Sequence, residues 1–242
     1  PMFPLTQPFT PRTLRFLRDA LSRSSKSASC KRDTSVAARK AAVLILFCNV
    51  NGIPGILLEV RAKSLRTHSG EISFPGGKLD DTDESLVKAA LRETQEELGI
   101  HPDQVDVLGE MGTPELTVRG DTRVWPFVGF VQPALDIEPM SDDDPLPSID
   151  LHAIKLSQSE VAAAFHLPLT ALTAPSRMRS YLFRGERLYT AIDVTDLVRL
   201  GERVEDGKKM DVVGHAHEGR MEVWGLTGWY LSSLMRILQV YQ

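Results

Sequence analysis

Cysteine is scarce in this chain of 242 residues: Cys30 sits in a Ser-rich stretch and Cys48 ends an apolar run. Two cysteines so placed make no disulfide framework, and a reducing, intracellular compartment is the expectation. Long apolar runs are also missing. None approaches the roughly 20 residues needed to span a bilayer, so no membrane partner is expected. A basic surplus is absent too, since the formal net charge is −4; a nucleic-acid-binding chain usually carries an excess of Lys and Arg. No internal repeat divides the chain. What is present is globular in type, with 42% hydrophobic and 25% charged residues, in a length that suits one large domain or one domain with tails.

The positive charge is concentrated at the start. In residues 1–37, Arg12, Arg15, Arg18, Arg23, Lys26, Lys31 and Arg32 are opposed only by Asp19 and Asp33, and serines cluster from Ser22 to Ser29. A basic, Ser-rich, acid-poor start resembles a mitochondrial transit peptide. It reads equally as a surface helix over Thr13 to Leu21 followed by a connector. Val240-Tyr241-Gln242 is not a peroxisomal Ser-Lys-Leu signal.

Residues 38–242 read as one domain. Ala41 to Cys48 is a continuous apolar run, hence a strand buried on both faces. Asn51-Gly52 marks a turn into a second strand, Ile56 to Val60, so the two form a hairpin. Ile72 to Phe74 is short and extended, and Pro75-Gly76-Gly77 stops it. Ser85 to Leu98 is the clearest helix, with Val87, Ala90, Leu91, Thr94 and Leu98 on one stripe, Asp83 placed to cap it and Gly99 to end it. Val105 to Met111, Val124 to Val131, Leu188 to Ile192 and Met221 to Leu226 read as strands. Val161 to Phe165 and Leu169 to Leu172 read as short helical pieces, and Leu231, Leu234, Met235 and Leu238 form the stripe of a closing helix. The Pro/Asp-rich residues 133–150 read as an exposed excursion. Strands and helices mix without strict alternation, so the class is α/β with a mixed sheet.

The chemistry is concentrated in Gly76 to Ile100, GGKLDDTDESLVKAALRETQEELGI. Residues three and four apart share a helix face, so Glu93 lies beside both Glu96 and Glu97. At about 6 Å and an effective dielectric near 20, each like-charged pair is repelled by roughly 3 kcal/mol. Arg92 offsets part of this through Glu96, but one arginine does not neutralise three carboxylates. A divalent cation does, and hard oxygen donors on a rigid helix suit Mg²⁺ or Mn²⁺. Gly76-Gly77 ahead of the helix allows main chain to approach a ligand and offers N–H groups to phosphate oxygens. An acidic metal cluster beside a phosphate-friendly turn is the equipment of phosphoryl chemistry.

Arg92-Glu93-Thr94-Gln95-Glu96-Glu97-Leu98-Gly99-Ile100 resembles the second half of the box that defines the Nudix hydrolases, with Thr94 at a hydrophobic position. The first half carries one extra loop residue, so either Asp83 or Glu84 fills its acidic position. Upstream, Leu57-Leu58-Glu59-Val60-Arg61-Ala62, then Arg66, Gly70 and Phe74-Pro75-Gly76-Gly77, resembles the signature of the mitochondrial and peroxisomal coenzyme A diphosphatases, with Glu59 in place of the usual Thr. Val223 to Thr227 resembles a late segment of that subfamily. The resemblance implies a Nudix-type α/β/α sandwich with a mixed sheet. It also implies hydrolysis of the diphosphate of coenzyme A or an acyl-CoA to 3′,5′-ADP and (acyl-)4′-phosphopantetheine. Carried over by position, Glu93, Glu96 and Glu97 hold the metal, with the Gly77 carbonyl completing the shell. Glu93 is alternatively the base that activates water, and Arg92 belongs to the catalytic set. Gly76, Gly77, Arg61 and Arg66 face the substrate, since guanidinium matches phosphate geometry.

Glu160, ahead of an apolar segment, is a further candidate acid. His215 and His217 near Glu218 read as a solvated loop, and His68 has no partner at ligand spacing. Two other function classes compete with the first. One is a Nudix hydrolase of ADP-ribose, a dinucleotide polyphosphate or an mRNA cap. The other is a catalytically silent Nudix-fold binding module, in which loss of the glutamates is expected.

Overall fold

The computed structural model describes residues 3–28, 39–65, 68–117, 120–133, 140–198 and 220–241. In chain order the elements are α1 (Pro11–Ala28), β1 (Arg39–Val50), β2 (Ile53–Arg61), β3 (Ile72–Ser73), β4 (Gly76–Lys78), α2 (Leu86–Leu98), β5 (Val105–Glu110), β6 (Glu115–Leu116), β7 (Thr122–Val131), β8 (Val161–Pro168), β9 (Met178–Phe183), β10 (Arg187–Asp193), β11 (Glu222–Val223) and α3 (Gly225–Ile237). The main sheet runs β3-β2-β1-β7-β5, with β4 on β1, β6 on β7 and β8 on β2. β1 and β7 are parallel and the other pairs antiparallel, so the sheet is mixed.

The alternation of β1 sorts the core into two layers. Ile45 and Phe47 face one way, into a cluster that includes Leu14, Leu17 and Leu21 of α1 and Tyr230, Leu231, Leu234 and Met235 of α3. Leu44, Leu46 and Cys48 face the other way, into a cluster with Ala90, Leu91 and Leu98 of α2. An apolar strand with no polar alternation needs cover on both sides, and it has it: this is the α/β/α sandwich. A second sheet, β11-β10-β9, leans on α3, where Phe183 stacks on Trp229 at 5.0 Å.

The β1–β2 hairpin turns at Asn51-Gly52, both at positive φ, as a two-residue hairpin turn requires. The hairpin then splits. β1 and β2 pair only as far as Leu46 opposite Leu57. Beyond that point β3 takes up β2, with Glu59 opposite Ser73, and β4 takes up β1, with Ala42 opposite Gly77. The fork lies on the path from the hairpin to α2, and it places Glu59 on β2 and Gly76-Gly77 on β4 in neighbouring arms.

Several expectations need correction. Val161 to Phe165 is not helical but the start of β8, paired with β2 through Leu58 and Phe165. Its alanines favour a helix locally, yet an open strand edge and alternating burial decide the outcome. Met221 to Leu226 is a strand only over Glu222–Val223, after which Gly225 opens α3. Residues 140–150 are not a simple exposed excursion. Leu146 and Ile149 are buried, and Asp142 and Asp143 pair with Arg15 and Arg12 of α1. The basic N-terminal stretch contributes a helix longer than expected, whose apolar side is buried in the main core rather than lying on the surface.

Asn49 holds these segments to the end of β1. Its side chain is fully buried; it accepts from the Phe9 N–H at 2.9 Å and donates to the carbonyls of Leu146 at 2.9 Å and Phe9 at 3.2 Å. An unpaired buried group costs about 1–3 kcal/mol. Asn49→Ala is therefore expected to lower stability by roughly 2–5 kcal/mol in urea denaturation, and a loss below about 0.5 kcal/mol would contradict this bonding role.

Candidate functional site

The site begins with how α2 is set. Ser85, rather than Asp83, caps the helix by accepting from the Lys88 N–H, and Gly99 ends it, its N–H donating to the Gln95 carbonyl. Asp83 is diverted to a different task. It accepts from Arg92 Nε and Nη2, both at 3.0 Å, and from the Asp80 N–H at 2.8 Å. Arg92 also donates to Glu96, to Glu93 at 3.2 Å and to the Lys78 carbonyl at 3.2 Å. The guanidinium thus ties the helix to the loop before it. Its carboxylate partners push the Arg92 pKa up, and the Arg92 hydrogen bond pulls that of Asp83 down. Of the two candidates for the acidic position of the box, Asp83 is bound to Arg92 and Glu84 is exposed.

The expected Gly76-Gly77 turn is instead the start of β4, held by the β1 ladder, and it meets this helix at contact distance. Glu97 is 3% exposed and accepts from the Gly76 N–H at 2.9 Å. Gly76 has φ +147°, and a Cβ there would lie 2.3 Å from the Ala42 carbonyl oxygen. A Cβ on Gly77 would lie 2.3 Å from the Glu93 carboxylate. Gly76 is needed because a Cβ there would meet the β1 main chain, whereas at Gly77 it would meet the Glu93 carboxylate.

The strand alternation of β2 turns Leu57, Glu59 and Arg61 toward the α2 side, where Leu57 joins the α2 cluster. Glu59 is 0% exposed and accepts from Ser73 Oγ at 2.9 Å. Arg61 lies between two acids, its Nη1 3.7 Å from Glu59 and 3.7 Å from Glu97. Burial raises the pKa of Glu97, and Glu59 raises it further; burial is also the main cause that raises Glu59. Glu93, half-buried, is raised by burial against the pull of Arg92. The charge of Glu160 acts on both Glu59 and Glu93.

Glu93, Glu97, Arg92, Arg61, Gly76 and Gly77 are thus brought together, and Glu160 joins them. Glu96 is exposed and turned onto Arg92. Arg66, His215 and His217 lie outside the described residues, and His68 pairs with Glu71. The residue that sequence reasoning passed over is Glu59, treated as a departure from a motif. Its spacing of two from Arg61 on a strand is the signal that places it in the site.

The donor chemistry fits a hard divalent cation: the carboxylates are oxygen ligands, they outnumber the arginines, and Glu59 Oε2 is buried with no hydrogen-bond partner. Among the described residues no three acidic, His or Cys side chains converge as a metal-binding group. The glutamates are turned instead onto Arg92, Arg61 and the Gly76 N–H.

A carboxyl with a raised pKa binds its proton more tightly in the folded than in the unfolded chain. Above the ordinary glutamate value of about 4.3, the native state then holds the extra proton, and stability falls as pH rises toward the raised value. Asp83, with a lowered pKa, gives the opposite slope at acid pH. Without divalent ions, wild-type Tm is expected to fall relative to that of Glu97→Gln between about pH 5 and pH 8. A difference constant with pH would contradict the shift.

Residues 38–178, more than half of the chain, match the NUDIX domain family. The protein called uncharacterized Nudix hydrolase NudL of Cronobacter sakazakii is 41% identical over 155 residues, which cover 64% of this chain and 65% of that protein. Its namesake from Enterobacter sp. is 40% identical over 139 residues, 57% of this chain and 62% of that protein. The chain thus spans less than two thirds of the length of these curated relatives. Among solved structures, the NUDIX domain of Shewanella oneidensis NrtR, complexed with ADP ribose, is similar with a TM-score of 0.41 and 19% identity, over 61% of this chain and 85% of that one. With its fork of strands, its glycine-led strand β4 and its glutamate-bearing helix in place, and on the strength of the domain match, this chain belongs to the NUDIX domain family.

Proposed function

We propose that the chain is a Mg²⁺- or Mn²⁺-dependent hydrolase that cleaves the diphosphate bond of coenzyme A or an acyl-CoA, releasing 3′,5′-ADP and (acyl-)4′-phosphopantetheine. One observation carries the reading: the upstream motif and the box helix meet in a single centre. Arg61 lies 3.7 Å from Glu97, and the Gly76 N–H donates to the same carboxylate. A motif that resembles the coenzyme A diphosphatase signature is therefore built into the acidic centre rather than standing apart from it.

Glu93, Glu97 and the Gly77 carbonyl would hold the divalent ion; Glu96, exposed and bound to Arg92, stands outside this set. When bound, it supplies charge cover for the diphosphate and acidifies water. The rest falls to the protein. Glu93, half-buried, is alternatively the base that takes a proton from the attacking water rather than a ligand of the ion. Arg61 and Arg66 offer guanidinium groups to the substrate phosphates. Arg92 positions the loop from Lys78 to Asp83 against α2. Its full set of carboxylate partners makes it a positioning residue.

The test is a panel of coenzyme A, acetyl-CoA, ADP-ribose and diadenosine polyphosphates with Mg²⁺ or Mn²⁺, products being identified by mass. Coenzyme A or its acetyl ester is expected to be cleaved with the highest kcat/KM. Turnover of ADP-ribose or a dinucleotide without turnover of coenzyme A would overturn the substrate assignment. Glu93→Gln is expected to lower kcat by about 10²–10⁴-fold, and Glu97→Gln to remove turnover with the circular dichroism spectrum intact. Full activity in either variant would remove that carboxylate from the centre.

A further inference from the structure

We propose that Glu59 is an additional carboxylate of the cation site, set on the strand side of the centre opposite Glu97, where its free Oε2 supplies an oxygen donor that the box helix does not. The inference rests on the metal-dependent reading above and extends it to a residue outside the box.

Four observations support this role. Glu59 is 0% exposed, yet only Oε1 is satisfied by a hydrogen bond, from Ser73 Oγ at 2.9 Å. Oε2 is buried with no hydrogen-bond partner among the described residues. Arg61 does not fill the gap: at 3.7 Å from Oε1 it is an ion pair outside hydrogen-bond range, and it stands equally far from Glu97. The Glu59 carboxylate therefore lies no further from that of Glu97 than two such contacts. It also acts electrostatically on Glu97 and is acted on by Glu93 and Glu160, so it faces the centre.

The charge balance points the same way. Among the described residues, Glu59 and Glu97 flank the Arg61 guanidinium and the charges of Glu93 and Glu160 act on Glu59, while Arg92 is held by Asp83 and Glu96. An unpartnered carboxylate oxygen is costly to bury, and a hard dication is the ligand that relieves both the orphan oxygen and the surplus charge. Threonine, which the resembled motif carries at this position, brings no charge. Ser73 fixes the orientation by holding Oε1, which leaves Oε2 as the free donor.

The experiment measures Mn²⁺ binding to the full chain by electron paramagnetic resonance of free Mn²⁺ and by calorimetry, for wild type, Glu59→Gln, Glu59→Thr and Asp143→Asn as a distant surface control. Both Glu59 variants are expected to raise the Mn²⁺ Kd by about tenfold or more and to shrink the Mn²⁺-induced rise in Tm. The control is expected to match wild type. Metal-free Glu59→Gln is expected to melt no lower than wild type, since it loses a buried charge and keeps its shape. Overturning results are an Mn²⁺ Kd within about twofold of wild type in Glu59→Gln, or a lower metal-free Tm with unchanged Mn²⁺ affinity, which would make Glu59 only a structural partner of Arg61. If wild type itself took up no Mn²⁺, the metal-dependent reading would fail; if wild type bound it and Glu59→Gln bound it equally, only the role of Glu59 would fail.

Discussion

The organising constraint is the burial of carboxylates against the two glycines that open β4. Glu97 is lodged beneath the Gly76 N–H, Glu93 lies against Gly77, and Glu59 closes in from the strand. Each is desolvated, Glu59 and Glu93 raise the proton affinity of Glu97, and Glu93 raises that of Glu59. Such a cluster is unfavourable on its own. It persists because the fork between β1 and β2 fixes these glycines, and because α2 is anchored through Ala90, Leu91 and Leu98 in the core. The fold holds acids together that water would let apart.

Two arginines divide the task of keeping the centre assembled. Arg92 faces outward, spanning Asp83, Glu96 and the Lys78 carbonyl, and so fastens the approach loop to the helix. Arg61 faces inward and is shared loosely between Glu59 and Glu97. A guanidinium held at 3.7 Å by two acids, with no strong hydrogen bond to either, would be free to meet the phosphate of the proposed substrate in a way that Arg92 would not.

Much of this was legible in the residues. The stripe from Val87 to Leu98 located α2, the continuous run from Ala41 to Cys48 located a strand with both faces covered, and Asn51-Gly52 located its turn. Local pattern failed where a distant partner decides. Val161 to Phe165 became β8 through the exposed edge of β2. Residues 140–150 joined the core because Asn49 and the arginines of α1 receive them. Asp83 gave up the cap to Ser85 because Arg92, nine positions on, takes its carboxylate. In the site, spacing along α2 grouped Glu93, Glu96 and Glu97, yet only the fold separates exposed Glu96 from buried Glu97, and only the strand fork brings Glu59 to face them.

The central claim, that these carboxylates gather around a divalent ion, is tested most directly by a crystal structure grown with Mn²⁺ and recorded for its anomalous signal. The account predicts an anomalous peak bounded by Glu93 and Glu97 and by the main chain of Gly77. A Mn²⁺-saturated crystal with no peak there, and with Glu93 still on Arg92 and Glu97 still on the Gly76 N–H, would contradict it.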